Sequence, residues 1–145
     1  MSAAVPPELL EELVKVAKEA RRHAYAPYSR YHVGAALATK SGRVFAGCNV
    51  ENASYGACLC AERTAVGQMV AAGEREPVAC VIVTKGPRAA SPCGICRQVL
   101  SEMSRDMVVV LVGETDDGTG SETGRRQTTL AALLPDAFEG SQLPE

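Results

Sequence analysis

Two short cysteine stretches restrict the possible folds of this chain more than anything else in it: Cys60-Ala61-Glu62-Arg63 and, thirty-odd positions later, Pro92-Cys93-Gly94-Ile95-Cys96-Arg97. Three thiols and one carboxylate suit a catalytic zinc site, in which three protein ligands leave the fourth tetrahedral corner open to water. The chain must then bring both stretches to one point. Two other readings use the same thiols. Cys93 and Cys96 have the spacing of a thioredoxin-like redox pair opening a helix, and Cys58 with Cys60, Cys93 and Cys96 would make a closed structural zinc knot. Neither gives Glu62 a task.

The pattern around these stretches is that of alternating helices and strands. Leu10, Leu13, Val14, Ala17 and Ala20 recur at helical spacing between Pro7 and His23, with glutamates early and basic residues late to suit the helix dipole. Val33 to Thr39 and Val44 to Cys48 flank a Lys-Ser-Gly-Arg turn and read as a β-hairpin. A second helix is expected from about Cys60 to a glycine cap at Gly73, burying Ala61, Ala65, Val66, Met69 and Val70. Val78 to Thr84 and Met107 to Val112 are continuous apolar runs, hence buried strands, with a helix from about Cys93 through Met103 between them. Strands separated by single helices imply parallel crossovers and a layered α/β sandwich. Gly113 to Gly124 reads as a mobile polar loop whose acids do not fit a calcium-binding register. Thr129 to Leu134 reads as a short capped helix ended by Pro135.

At 145 residues the chain has room for one domain and one core. A net charge of -2 and 4% aromatic residues argue against nucleic-acid binding, which needs a basic face or a stacking platform. The Arg21-Arg22 and Arg125-Arg126 pairs are read as solvated surface charge. No apolar run is long enough for a bilayer, Pro6, Pro7 and three glutamates interrupt any N-terminal signal core, and the six cysteines are not spaced like a disulfide framework. These features point to a soluble protein of the reducing cytoplasm with no membrane partner. Cys48 and Cys80 are expected to be small buried hydrophobes.

A Cys-x-Glu upstream of a Pro-Cys-x-x-Cys has the spacing of zinc nucleobase deaminases, with three cysteines as a variant of the set that begins with histidine. The stretches Ala24-Tyr25-Ala26-Pro27-Tyr28-Ser29, Val33-Gly34-Ala35-Ala36-Leu37, Gly47-Cys48-Asn49-Val50-Glu51-Asn52-Ala53-Ser54-Tyr55, Cys60-Ala61-Glu62-Arg63-Thr64-Ala65, Ser91-Pro92-Cys93-Gly94-Ile95-Cys96-Arg97-Gln98-Val99 and Leu133-Leu134-Pro135 occur in that order. Over nearly its full length the chain thus resembles the small homotetrameric, zinc-dependent cytidine deaminase family. The resemblance implies one domain over 1–145, a three-layer α/β/α sandwich on a mixed five-stranded sheet, and hydrolytic deamination of free cytidine and deoxycytidine with loss of ammonia. It implies zinc held by Cys60, Cys93 and Cys96, Glu62 as proton shuttle, Arg63 donating to thiolate sulfur, and Asn49 and Glu51 on the ribose hydroxyls. Ala61, Tyr31 and Phe138 count among the further substrate-binding positions, and Tyr55 is one that reaches a neighbouring subunit's site. Two departures stand out: Tyr31 replaces the family's phenylalanine, and the polar segment from Gly113 is longer than the small turn expected before the last strand.

The residue types suit that chemistry. Replacing the C4 amine of cytosine by oxygen needs an activated water, which zinc supplies by lowering the pKa of a bound water, and a group to carry protons, which Glu62 can be. Side chains two apart on a helix do not share a face, so Glu62 is expected beside the metal rather than on it. Three thiolates leave the centre at a formal -1, which two helix starts and Arg63 are placed to offset. For Asn49 and Glu51 the alternative is plain turn capping.

Overall fold

The structure, a computed structural model, describes residues 5–145. Five strands, β1 (Gly34–Thr39), β2 (Val44–Cys48), β3 (Pro77–Lys85), β4 (Val108–Glu114) and β5 (Glu122–Thr129), form one sheet in the order β2-β1-β3-β4-β5. The β1-β2, β1-β3 and β4-β5 pairs are antiparallel and the β3-β4 pair is parallel, so the sheet is mixed. Four α-helices accompany it: α1 (Pro7–Arg22), α2 (Ala61–Ala71), α3 (Gly94–Met103) and the single turn α4 (Leu130–Leu133). No helix among the described residues is long and apolar enough to cross a membrane.

Alternation along the central strands sorts the core into two slabs. Ala36, Ala38, Ala79, Val81, Val83, Val110 and Val112 face α1 through Leu13, Val14 and Ala17. Their neighbours Ala35, Leu37, Cys80, Ile82, Val109 and Leu111 pack on the other side with Ala61, Ala65 and Met69 of α2 and Leu100 of α3. These are the three layers that the sequence pattern and the resemblance imply. Both faces of β1, β3 and β4 are buried, which is why those strands read as unbroken apolar runs.

The expectation for the segment after Met107 needs correction. Gly113 and Glu114 extend β4, and residues from Glu122 onward form β5 rather than continuing a loop. Its sequence, Glu-Thr-Gly-Arg-Arg-Gln-Thr-Thr, carries no apolar residue because it is an edge strand, and charge is a common way to protect such an edge. Lys18 reaches Glu122 at 3.4 Å, and Arg125 pairs with Glu11 at 2.5 Å and Glu122 at 2.6 Å. Arg21 also departs from its reading as solvated charge. Only 7% exposed, it pairs with buried Glu114 at 2.9 Å and with Asp116 at 2.5 Å, while its neighbour Arg22 stays in solvent.

Helix α2 lies unusually close to β2. A Cβ at Gly47 would sit 2.3 Å from the Ala61 carbonyl oxygen and 2.5 Å from Ala65 N, both backbone atoms that cannot swing aside. Gly47→Ala is therefore expected to push the first turn of α2 off the sheet. Overpacking of this kind costs about 1–3 kcal/mol, to be read as a lowered melting temperature, and because Cys60 and Glu62 ride on that turn the variant should also bind zinc more weakly.

Candidate metal centre and nucleoside pocket

Each cysteine stretch opens a helix. Cys60 is the N-cap residue of α2 and Cys93 that of α3, so their sulfurs lie where helical N–H groups are unpaired and the dipole favours negative charge. Cys96, one turn into α3, points back to the same spot, and Cys96 N donates to Cys93 Sγ at 3.5 Å. Arg97 fastens the turn that presents Cys93, donating from Nε to the Pro92 carbonyl at 2.9 Å and from Nη1 to the Leu133 carbonyl at 2.6 Å. The sulfurs of Cys60, Cys93 and Cys96 all lie within 4.8 Å of one another.

Sulfurs at two corners of a tetrahedral zinc, each about 2.3 Å from the metal, stand about 3.8 Å apart. Cys60 Sγ and Cys93 Sγ are 3.8 Å apart. The donor set fits zinc in number, chemistry and spacing. Cys58 takes no part: its sulfur is engaged with Asn52, accepting from Asn52 N at 3.3 Å, and it lies outside the cluster. A closed four-sulfur knot is thereby ruled out as arranged here, and a Cys93–Cys96 redox pair leaves Cys60 unexplained.

A guanidinium lies against the sulfurs. Arg63 Nη2 donates to Cys60 Sγ at 3.5 Å and to the Cys58 carbonyl at 3.2 Å. Arg63 Nε is buried without a partner, the sole such side-chain nitrogen or oxygen among the described residues. Leaving a buried donor unpaired costs about 1–3 kcal/mol, and the fold tolerates it where the guanidinium faces the sulfurs. The Cys60 thiol is pulled down to about 5, first by hydrogen bonding with Cys96 and then by Arg63 and Cys93. Cys96 is pushed up by the same contact and by burial. Cys80, fully buried, and Cys48, half-buried, stand apart, both pushed up by burial.

Glu62 lies beside the cluster and not within it, with Oε2 3.6 Å from Cys96 Sγ. It is 4% exposed, and burial, more than any neighbouring charge, raises its carboxyl above the ordinary range. Glu62, Cys60 and Cys93 open onto a cavity of about 510 Å³ that Ala61, Thr84 and Ile82 also line. That size falls within the range of small-molecule sites.

Opposite walls of this cavity come from two loops stitched together by backbone. Val50 and Leu59 exchange N–H···O bonds at 2.9 Å, while Tyr25 N donates to the Asn49 carbonyl and Glu51 N to the Tyr25 carbonyl. These bridges bring Asn49 and Glu51 alongside Cys60. Asn49 Nδ2 donates to the Tyr31 carbonyl at 2.8 Å and Oδ1 accepts from Val33 N at 2.9 Å. Glu51 Oε1 accepts from Tyr28 N and Ser29 N, each at 3.0 Å, and Oε2 from the Ser29 hydroxyl at 2.5 Å. Both side chains therefore cap the loop at 28–33, and both still line the cavity with acceptor capacity left over. The capping reading of Asn49 and Glu51 describes their contacts.

Tyr31 and Tyr55 also line the cavity, and Tyr55 meets Tyr28 edge to face with ring centroids 6.0 Å apart. Phe138 does not line it. Its carbonyl is held by Gln98 Nε2 at 3.0 Å and the residue is 56% exposed. The sequence reading assigned nothing to Ser29 or Thr84, both of which face the cavity; hydroxyl residues in a turn and at a strand end give no periodic signal by which to find them.

Residues 7–112 match the family described as the cytidine and deoxycytidylate deaminase zinc-binding region. The chain belongs to that family. It is 42% identical to a cytidine deaminase of Halalkalibacterium halodurans over 90% of this chain and 95% of the relative. A crystal structure of a cytidine deaminase from Burkholderia pseudomallei superposes with a TM-score of 0.80 at 49% identity, covering 88% of this chain and 98% of that one. A blasticidin-S deaminase from Bacillus cereus is more distant, 32% identical over 69% of this chain. The family is a zinc-binding one, in agreement with the three-sulfur cluster, and its sheet is the mixed α/β arrangement described above.

Proposed function

We propose that the protein hydrolytically deaminates free cytidine and deoxycytidine to uridine and deoxyuridine, as a single domain over 1–145 acting in pyrimidine salvage in the cytoplasm. The observation that carries this reading is the pairing of an open three-sulfur cluster with a buried, uncoordinated carboxylate at one end of a nucleoside-sized cavity. Cys60, Cys93 and Cys96 would hold the zinc ion, which when bound supplies the Lewis acidity that lets water attack at neutral pH. Glu62 takes a proton from the attacking water and delivers it to ring N3; it then takes the second proton from the new C4 hydroxyl and passes it to the amine, which leaves as ammonia as the C4 carbonyl forms. Arg63 and the two helix starts hold the thiolate charge. Asn49 and Glu51 receive the ribose hydroxyls, Tyr31 offers its ring to the base, and the Ala61 backbone closes the end near Glu62. Water is excluded from the base by the apolar walls.

A homotetramer with shared sites is part of the same reading. Tyr55, Leu59 and Ile95 line the cavity and are exposed, as is Tyr28 packed against Tyr55, an apolar rim that a second copy of the chain would cover. That copy could lend Phe138 or Tyr55 to this cavity.

The test is an absorbance assay on purified, zinc-loaded protein with cytidine, deoxycytidine, cytidine 3′-monophosphate and a short oligonucleotide. Glu51 is ionised and already accepts three hydrogen bonds, so a phosphate on the sugar hydroxyl it faces is repelled. The nucleosides are expected to exceed the phosphorylated substrates in kcat/KM by about tenfold or more. Comparable values would remove Glu51 from sugar recognition, and no turnover of cytidine with full zinc content would end the proposal.

A further inference from the structure

We infer that Ser29 is a positioning residue that sets Glu51 against the sugar, an inference that rests on the reading of Glu51 as a ribose contact. The Ser29 hydroxyl donates to Glu51 Oε2 at 2.5 Å and accepts from Tyr31 N at 3.0 Å. Its only proton is thereby committed to Glu51, so Ser29 acts on a sugar through that carboxylate. An ionised carboxylate offers about four acceptor positions. Two on Oε1 are taken by Tyr28 N and Ser29 N and one on Oε2 by Ser29 Oγ, which leaves one, on the oxygen whose direction the hydroxyl fixes.

The same hydroxyl also reaches the second sugar-facing side chain. By accepting from Tyr31 N it fixes the peptide turn whose next carbonyl, that of Tyr31, takes the Asn49 Nδ2 hydrogen bond. Ser29, Tyr31, Asn49 and Glu51 all line the cavity. The Ser29 contacts, first the hydroxyl and then the backbone N–H, hold the Glu51 carboxyl below the ordinary carboxylate range. Kept ionised, Glu51 can only accept, so it favours a ligand that brings a hydroxyl proton to it.

The experiment compares KM and kcat for cytidine and for 2′,3′-dideoxycytidine, which lacks the 2′ and 3′ hydroxyls, in the wild type, Ser29→Ala, Ser29→Thr and Glu51→Ala. Ser29→Ala is expected to raise KM for cytidine about tenfold, the scale of a hydrogen bond to a charged group, with kcat and the dideoxynucleoside KM within about twofold of wild type. Ser29→Thr, which keeps the hydroxyl, should restore the cytidine KM. An unchanged cytidine KM in Ser29→Ala overturns the proposal, and so does an equal rise for both nucleosides, which would mean a loosened loop. Glu51→Ala separates the two levels. If it too leaves the cytidine KM unchanged, the ribose reading of Glu51 has failed; if it raises KM while Ser29→Ala does not, only the role of Ser29 has failed.

Discussion

Glu62→Gln is expected to keep the fold and a full equivalent of zinc while losing about 10² to 10⁴ in kcat on cytidine, the range that a positioned proton carrier contributes. The geometry separates carrying protons from holding metal. Glu62 touches the cluster through Cys96 but lies outside the set of three sulfurs that are mutually close. Glutamine matches glutamate in shape, and a neutral amide is easier to bury than a carboxylate at a position 4% exposed. Stability should therefore hold or rise, which melting temperature will report. Zinc analysis and single-turnover kinetics on the same sample decide the rest. Loss of zinc in Glu62→Gln would make Glu62 a ligand, and turnover within about threefold of wild type would hand the proton step to another group.

Most of this centre could be read from the chain because its signals are local. Cys60 and Cys93 fall at helix starts, and the glycine after α2, Gly73, takes the left-handed conformation expected of a cap. The continuous apolar runs became β3 and β4 within one or two residues of their expected ends. What stayed hidden was set by partners far away in sequence. The strand β5 has no apolar face to betray it, since β4 satisfies its backbone on one side and solvent meets the other. The resemblance supplied a fifth strand where periodicity could not. Ser29 owes its place in the cavity to a turn held by Glu51, and Thr84 to the last residues of β3, neither of which leaves a spacing pattern. Arg21 and Arg22 are chemically identical neighbours, and only the rotation of α1 decides which of them is buried.

That buried arginine carries the largest expected effect on stability. Arg21→Met is expected to cost about 3–5 kcal/mol, because removing one member of a buried pair leaves the other as an uncompensated charge. For a domain of this size that is a fall of about 10 °C in melting temperature. The charge left behind is Glu114, 4% exposed at the end of β4, and Lys85, 3.3 Å from Asp116, is too committed there to replace the guanidinium. Adding Glu114→Gln to Arg21→Met should recover most of the loss, since the neutral amide needs no counter-charge. A double variant no more stable than the single one would show that Arg21 acts through packing alone. The two variants also separate stability from binding. Arg21 Nε donates to the His32 carbonyl at 2.8 Å, and the next residue, Val33, gives its N–H to Asn49 Oδ1. The double variant, restored in melting temperature but still lacking that donor, should therefore keep a raised KM for cytidine at unchanged kcat, because the loop that aims Asn49 has lost its tether to α1.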